Sequence, residues 1–448
     1  MKFRSRNLKA IGAAFLMLIC SISFSAEPNL VPGSTLEDFF TAAINYSPEL
    51  RIAEEDLNIS GARKQAANAQ LLPQLNAGAS ISDNRLNQLN RFQEFDGERY
   101  YLSLSQTLFN WQQFAARKQA YLVEDQLEEQ YYYQLASILT DVAERYFNVL
   151  QSEDALESIN SEIDALTNQL DQIQSFYERQ LAQITDLYRG QASLAAVQAE
   201  RLQLQAEIAL NKEALRSISG LNVGPLYRLG DEAEIPPLEF SQQYYLQQAQ
   251  GRNHQILASE YALQAAEEGI SERRGAYMPQ VSFIAQRQDS DVGFDNLPIN
   301  RTDNTYIGIN LSIPIYAGGQ NKARVSEAIS RKSIAEYELR SAQLRTRENV
   351  RAAHLQVQAS EVQTDAAIVL VESTTLAAEA MQQGFALGTV TSVDVLNALR
   401  DQYQAERDFQ TTRYNHIRYL LTLKRETGTL SAEDMLEVGS WLEPEALQ

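Results

Sequence analysis

Four segments of the chain alternate apolar and polar residues with a period of two. In Leu75–Ser82, Leu75, Ala77, Ala79 and Ile81 oppose Asn76, Gly78, Ser80 and Ser82. From Tyr100 onward, Leu102, Leu104 and Leu108 share one side and Ser103, Ser105 and Thr107 the other. Val281, Phe283 and Ala285 continue the theme, and Ile307, Ile309, Leu311 and Ile313 oppose Tyr306, Gly308, Asn310 and Ser312. This period predicts strands at about 73–82, 100–109, 279–288 and 305–315, each with one apolar face. Such a strand suits a half-buried sheet or a barrel wall between lipid and water. A length of roughly 9–12 residues is that of a tilted transmembrane strand. Polar stretches at 83–99 and 287–304 lack apolar periodicity and read as solvent loops joining each pair.

The remainder reads as helix. No proline or glycine interrupts 112–177, which predicts a helix on the order of 100 Å long, and 320–383 is its counterpart. Shorter helices are expected at about 35–70 (interrupted near Pro48), 186–219, 241–275 and 391–427. Pro73 and Pro279 end a helix and open a strand, and Gly318-Gly319 turns a strand back into a helix. Ala- and Gln-rich surfaces with apolar residues three and four apart suggest coiled-coil-like lateral packing.

The pattern occurs twice. LPQL at Leu72–Leu75 returns as MPQV at Met278–Val281, and Tyr101–Trp111 returns as Tyr306–Tyr316. Ala116-Arg117 matches Ala323-Arg324, Asp186-Leu187 matches Asp394-Val395, and Gly220 matches Gly428. All lie 205–208 residues apart, too long a period for a solenoid of short repeats. The expected organisation is a first repeat at 26–220, a Pro-bearing linker at 221–240, a second repeat at 241–428 and a tail at 429–448.

Lys2, Arg4, Arg6 and Lys9 precede the apolar run Ala10–Cys20 and small residues around Ser23 and Ser25. This reads as a secretory signal peptide, 1–25, cleaved after Ser25. Cys20, with bulky Ile19 before it, is read as an ordinary residue of the leader, lipidation being the alternative. Without the leader's four basic residues the formal net charge moves from −20 to −24 (34 basic, 58 acidic). Such a charge disfavours nucleic acid and anionic lipid as partners. Beyond the leader no run of 18 apolar residues occurs, so any membrane crossing falls to the strands. Phe109, Trp111, Tyr277 and Tyr316 flank one end of the strands, like an interfacial girdle. Four strands leave two open edges, which lipid does not tolerate, so closure requires several chains in cyclic symmetry.

The chain resembles the TolC family of outer-membrane export channels across its mature length. The resemblance rests on LLPQL (71–75), AERYFNVL (143–150), AQITDL (182–187), LSIPIYAGG (311–319) and GTVTSVDVLNA (388–398), with Tyr414-Asn415 and GTLSAEDML (428–436). It implies an α+β membrane protein: a trimer with a 12-stranded β-barrel continued by a periplasmic α-helical barrel. It further implies docking to a periplasmic adaptor and an inner-membrane pump of RND or ABC type, for export of drugs or polypeptides. By the same resemblance, Asp394 matches the first acidic ring of the periplasmic constriction. The second ring is Asn397 here, with Asp401, seven residues beyond Asp394, as a possible substitute. Thr185-Asp186 matches the family's latch, whose tyrosine and arginine partners are here Phe385 and Val390. A closed state held by apolar contact or other charges, and opening more readily, is the resulting expectation.

No catalytic, cofactor or metal site is expected. His254, His354 and His416 are far apart on predicted helices and read as surface or groove residues. Tyr131-Tyr132-Tyr133 reads as interhelical packing, with a docking patch as the alternative. The competing function is a periplasmic coiled-coil adaptor or structural protein without a channel. That reading explains the helices and leaves two matching pairs of amphipathic strands without a purpose.

Overall fold

The computed structural model describes residues 34–88, 91–230, 233, 235–238, 240–291 and 301–444. The expected signal peptide lies outside them. The chain runs α1 (Leu36–Tyr46), α2 (Pro48–Ala69), β1 (Gln74–Gln88), β2 (Arg91–Phe109), α3 (Trp111–Glu178) and α4 (Ile184–Ser219). After a connector containing β3 (Arg228–Leu229) come α5 (Gln242–Arg252), α6 (His254–Gly275), β4 (Gln280–Ser290) and β5 (Thr302–Ser312). Then follow α7 (Gln320–Ala386), α8 (Ser392–Thr427), α9 (Ala432–Ser440) and β6 (Leu442–Glu443).

The duplication reaches the level of backbone conformation. Ser47 caps α2 with Pro48 in its first turn, and 206 residues later Asn253 caps α6 with the same extended geometry. Asn253 breaks what the sequence pattern presents as one helix over 241–275. Its Oδ1 accepts from the backbone of Gln255 and Ile256, and its Nδ2 donates to the Glu426 carbonyl. A side chain that satisfies orphan helix donors ends a helix without proline. The turns α3–α4 and α7–α8 also match. Leu181 N–H bonds Phe176 O and Thr389 N–H bonds Gly384 O, around left-handed Gln180 (φ 61) and Gly388 (φ 74). Each is a Schellman ending.

The sheet is antiparallel in the order β1-β2-β4-β5. Its register puts Leu75, Ala77 and Ala79 beside Leu104, Leu102 and Tyr100, then Ala285, Phe283 and Val281 beside Ile307, Ile309 and Leu311. All four strands thus share one apolar face, and the other carries Ser, Thr, Asn and Gln. Leu108 sits at a register shift between Thr107 and Phe109, so it departs from the strict alternation. The bulge returns Phe109 to the apolar face opposite Val281.

Two sequence expectations need correction here. The stretch 83–99 is not a loop: β1 and β2 stay paired through Asp83↔Asp96 and Arg85↔Glu94 to Gln88↔Arg91. Backbone pairing needs no apolar face, so alternation ends at Ile81 while the ladder continues. Likewise β4 reaches Ser290 and β5 starts at Thr302, the middle of 287–304 lying outside the described residues. At its other end β5 stops at Ser312, whose partner Gln280 is the first residue of β4.

Below the sheet, neighbours in the helical layer are α2–α3–α6–α7 near the strands and α4–α3–α8–α7 further away. At mid-length Phe39, Tyr146, Phe147, Leu215, Tyr414 and Met435 bury α1, α3, α4, α8 and α9 together. Burying side chains of this size contributes about 1.5–3 kcal/mol each. The tail belongs to this core: β6 pairs with β3, tying the chain's end to the connector between repeats.

Candidate functional site

The turns α3–α4 and α7–α8 stand about 100 Å from the sheet, at the far ends of their helices. Asp186 and Asp394 occupy the same position in each, the third residue of the following helix. Asp394 Oδ2 accepts from Thr391 N–H at 3.2 Å and from Thr391 Oγ1 at 2.6 Å, while Thr391 Oγ1 accepts from Asp394 N–H at 3.3 Å. Asp186 Oδ2 accepts from Gln183 N–H at 3.3 Å, within a capping box of its own. Carboxylates so placed satisfy helix donors and meet the positive end of the helix dipole. Asp394 and Asn397 are exposed on α8. Asp401 is exposed as well and paired with Arg400 at 3.2 Å. Thr185 is exposed and donates to Gln183 Oε1 at 3.3 Å.

Phe385 is buried against the other hairpin, its ring centroid 5.2 Å from that of Phe176. Val390 and Leu187 flank the same apolar cluster, which includes Val395, Leu396 and Leu399. The two hairpins therefore meet through hydrocarbon at their tips. Gly384 lies close under this contact, with a Cβ there falling 2.6 Å from Val390.

Several side-chain bonds that the sequence pattern does not show hold the two repeats together higher up. Arg407 Nη1 donates to Glu162 at 2.7 Å, both side chains nearly enclosed. Tyr414 donates to Asp154, and Arg418 donates twice to Gln151 Oε1 at 3.1 Å. Burial pushes the Glu162 and Asp154 carboxyls up, opposed by Arg407 in one case and by Tyr414 and Arg228 in the other. These residues fall on polar positions of long helices, and only the packing of α3 against α8 brings them together.

His416 also corrects the sequence reading. It is buried between α7 and α8, with Nδ1 2.8 Å from Ser360 Oγ. Burial pushes its imidazole below the ordinary value, with Glu361 opposing. His254 sits 2.7 Å from Glu129, and its ring lies against Tyr132 at 5.6 Å. Tyr131 packs on the mid-length core, in line with interhelical packing rather than a docking patch.

At the sheet's helical end, Phe109 meets Phe114 edge-on at 6.2 Å. Trp111, just past the end of β2, opens α3 behind the Asn110 cap, and its Nε1 donates to Ser271 at 3.1 Å. Tyr277 is half exposed, and Tyr316 is 85% exposed. All four lie at one level, where apolar sheet gives way to helix.

A sheet clad in hydrocarbon on one face, continuous with helices about 100 Å long, defines an outer-membrane duct rather than a coiled-coil rod. The chain belongs to the outer membrane efflux protein family, whose model matches residues 41–221 and 245–429. It is 28% identical to outer membrane protein TolC of Vibrio cholerae, over 95% of this chain and 98% of that protein. To the alkaline protease secretion protein AprF of Pseudomonas aeruginosa it is 24% identical, over 94% and 88% of the two chains. Its fold overlays the crystal structure of outer membrane protein VceC from Vibrio cholerae with a TM-score of 0.75, 19% identity and coverage of 88% and 96%. The protein is an outer-membrane export channel with a large periplasmic portion. No helix among the described residues is long and apolar enough to cross a membrane.

Proposed function

We propose that three copies close head to tail into one hollow cylinder, a 12-stranded barrel above a helical barrel. This cylinder passes drugs, other toxic small molecules or secreted polypeptides from a periplasmic adaptor and an inner-membrane pump to the exterior. One observation carries the reading: every layer ends on the same two edges. On one side are α2, β1 and α4, and on the other β5 and α7. An open strand edge in lipid costs several kcal/mol per unsatisfied backbone group, and a heterologous contact repeated around an axis removes both edges at once. The apolar band, followed along the tilted strands from Phe109 to Tyr100, is roughly 25 Å tall. The polar sheet face, with Ser103, Ser105, Asn310 and Ser312, then lines the lumen. RND or ABC pumps both suit such a duct, and likeness to a protease secretion protein favours polypeptides among the cargo.

At the periplasmic tip, three Asp394 carboxylates converge on the axis and attract cations, with Asn397 leaving the next ring neutral and Asp401 adding charge beyond it. Thr185 and Asp186 face their own cap, and the closed state is held instead by Phe385 and Val390 in hydrocarbon. The test is single-channel conductance in a planar bilayer, with reversal potential under a salt gradient. A small cation-selective conductance, less selective in Asp394→Asn, is expected. Unchanged selectivity moves the filter away from Asp394, and folded protein that never inserts defeats the channel.

A further inference from the structure

The first turns of helix beneath the sheet are basic in a chain whose net charge is −20. The last ten residues of α2, the first ten of α3, the last ten of α6 and the first ten of α7 hold eight basic and four acidic residues. Two of these stretches, in α2 and α3, contain no acid at all. Arg63, Arg117, Lys118, Arg274, Lys322 and Arg324 are exposed. Lys118 pairs with Glu268 at 2.6 Å, and Arg117 lies over the Tyr121 ring at 5.6 Å. Among the described residues, Arg63, Arg274, Lys322 and Arg324 have neither an ion pair nor a side-chain hydrogen bond. At the opposite rim, the face that is apolar in mid-sheet turns acidic, with six carboxylates to two arginines on paired strand positions between 83 and 303.

The apolar band is thus bounded by opposite charges, and its basic boundary coincides with Trp111, Tyr277 and Tyr316. Amphipathic rings of this kind mark headgroup depth. From this placement we infer that the basic collar binds the phosphates of anionic glycerophospholipids in the periplasm-facing leaflet. The inference rests on the outer-membrane placement of the sheet. The lipid is favoured over other anions because the collar is continuous with a surface that already contacts acyl chains. Unpaired guanidinium and ammonium groups at that level donate to phosphate oxygens without breaking any internal bond. A cation held at an anionic surface strengthens binding about five-fold at low salt. A periplasmic duct that exerts leverage on its membrane anchor gains from such a tether.

The test uses the full mature protein, purified in neutral detergent and supplied with phosphatidylglycerol or phosphatidylcholine of equal chain length. Bound lipids are counted by native mass spectrometry, and the melting temperature is followed in parallel. Expected is a several-fold preference for phosphatidylglycerol, abolished by 0.5 M NaCl (about a 4 Å Debye length) and lost in Arg63→Gln/Lys322→Gln/Arg324→Gln. Equal retention of both lipids, or a preference kept by the triple variant, overturns the proposal. So does equal stabilisation by inorganic phosphate without lipid, which assigns a free-anion site. Loss of the trimer in the triple variant assigns the charges to contacts between copies, again against lipid. Failure to bind either lipid counts against the membrane-spanning sheet itself, a distinct result.

Discussion

His416 is enclosed between α7 and α8 with Ser360 as its hydrogen-bond partner and Glu361 the charged group beside it. Its pKa in the fold lies below the ordinary 6.5, so around that pH the unfolded chain binds more protons than the folded one. Stability therefore rises with pH in that window. It is present in full above about pH 6.5 and is lost on acidification through the depressed value. Asp154 and Glu162 are shifted up and act the other way, in the window just above the ordinary carboxylate range. Thermal melts of the detergent-solubilised protein from pH 8 to 5 should fall on the acid side. His416→Gln should flatten that fall, and an unchanged slope would remove His416 as its cause. At the tip, the apolar seam of Phe385 and Phe176 lacks the direction of a hydrogen bond. Phe385→Tyr with Val390→Arg gives Asp186 two donors, each charge-assisted bond contributing about 1.5–3 kcal/mol. Spontaneous openings in a bilayer should become rarer. If their frequency is unaltered, the two hairpins are not what holds the closed state.

Between elements, the ion pair Glu162–Arg407 links α3 of the first repeat to α8 of the second at 2.7 Å. Breaking an enclosed pair from one side leaves an uncompensated charge and costs about 3–5 kcal/mol. Arg407→Met should lower stability by that order in denaturant titration, and adding Glu162→Gln should recover most of it. A single variant as stable as the parent would mean that Glu162 already carries a proton in the fold. Nothing in the sequence distinguishes these two residues, because each looks like a solvated charge on a long helix and only the packing of distant helices brings them together. The strands were legible for the opposite reason: alternation records which side chains meet lipid or water, residue by residue. It stops recording where both faces are wet, and so the ladder from Asp83 to Arg91 escaped it. The α5–α6 break was legible only through the repeat, by laying Asn253 over Ser47. Asp186 and Asp394 illustrate a third case. Motif matching marks them as gate groups, while the capping boxes they complete appear only once the helix starts are known. Tyr101 and Tyr306, one repeat apart, lie so close to Gly78 and Gly308 that a Cβ on either glycine would fall 2.5 Å from the phenol, from ring carbons at Gly78 and from the hydroxyl at Gly308. Glycine in these strands thus permits rings to lie along the polar face, a purpose invisible to a count of breakers.

For the whole molecule, the decisive surface is the exposed side of α7. Leu355, Val362, Val369 and Leu376 recur every seventh residue, between 56% and 65% exposed. Heptad spacing on a straight helix is the signature of a partner helix packed along it. Within the chain α7 already has α6 and α8 on its other side, so the stripe is left for a neighbour. The free edge at the far side of the layer offers matching residues: Ile52 and Ile59 seven apart on α2, then Tyr188 and Leu202 fourteen apart on α4. One copy's α7 can therefore run along the next copy's α2 above and α4 below, while β5 meets β1. A charge introduced into that seam is buried three times over when the ring closes, each costing several kcal/mol if unpaired. Val362→Glu with Val369→Glu should shift the detergent-extracted protein from three times the chain mass to the chain mass in light scattering. The helical content of each chain should persist, because the stripe contributes to no core within it. The conservative Val369→Leu should leave the trimer intact. Trimers that survive both glutamates would place the seam on another face of α7 and detach the heptad stripe from closure of the ring.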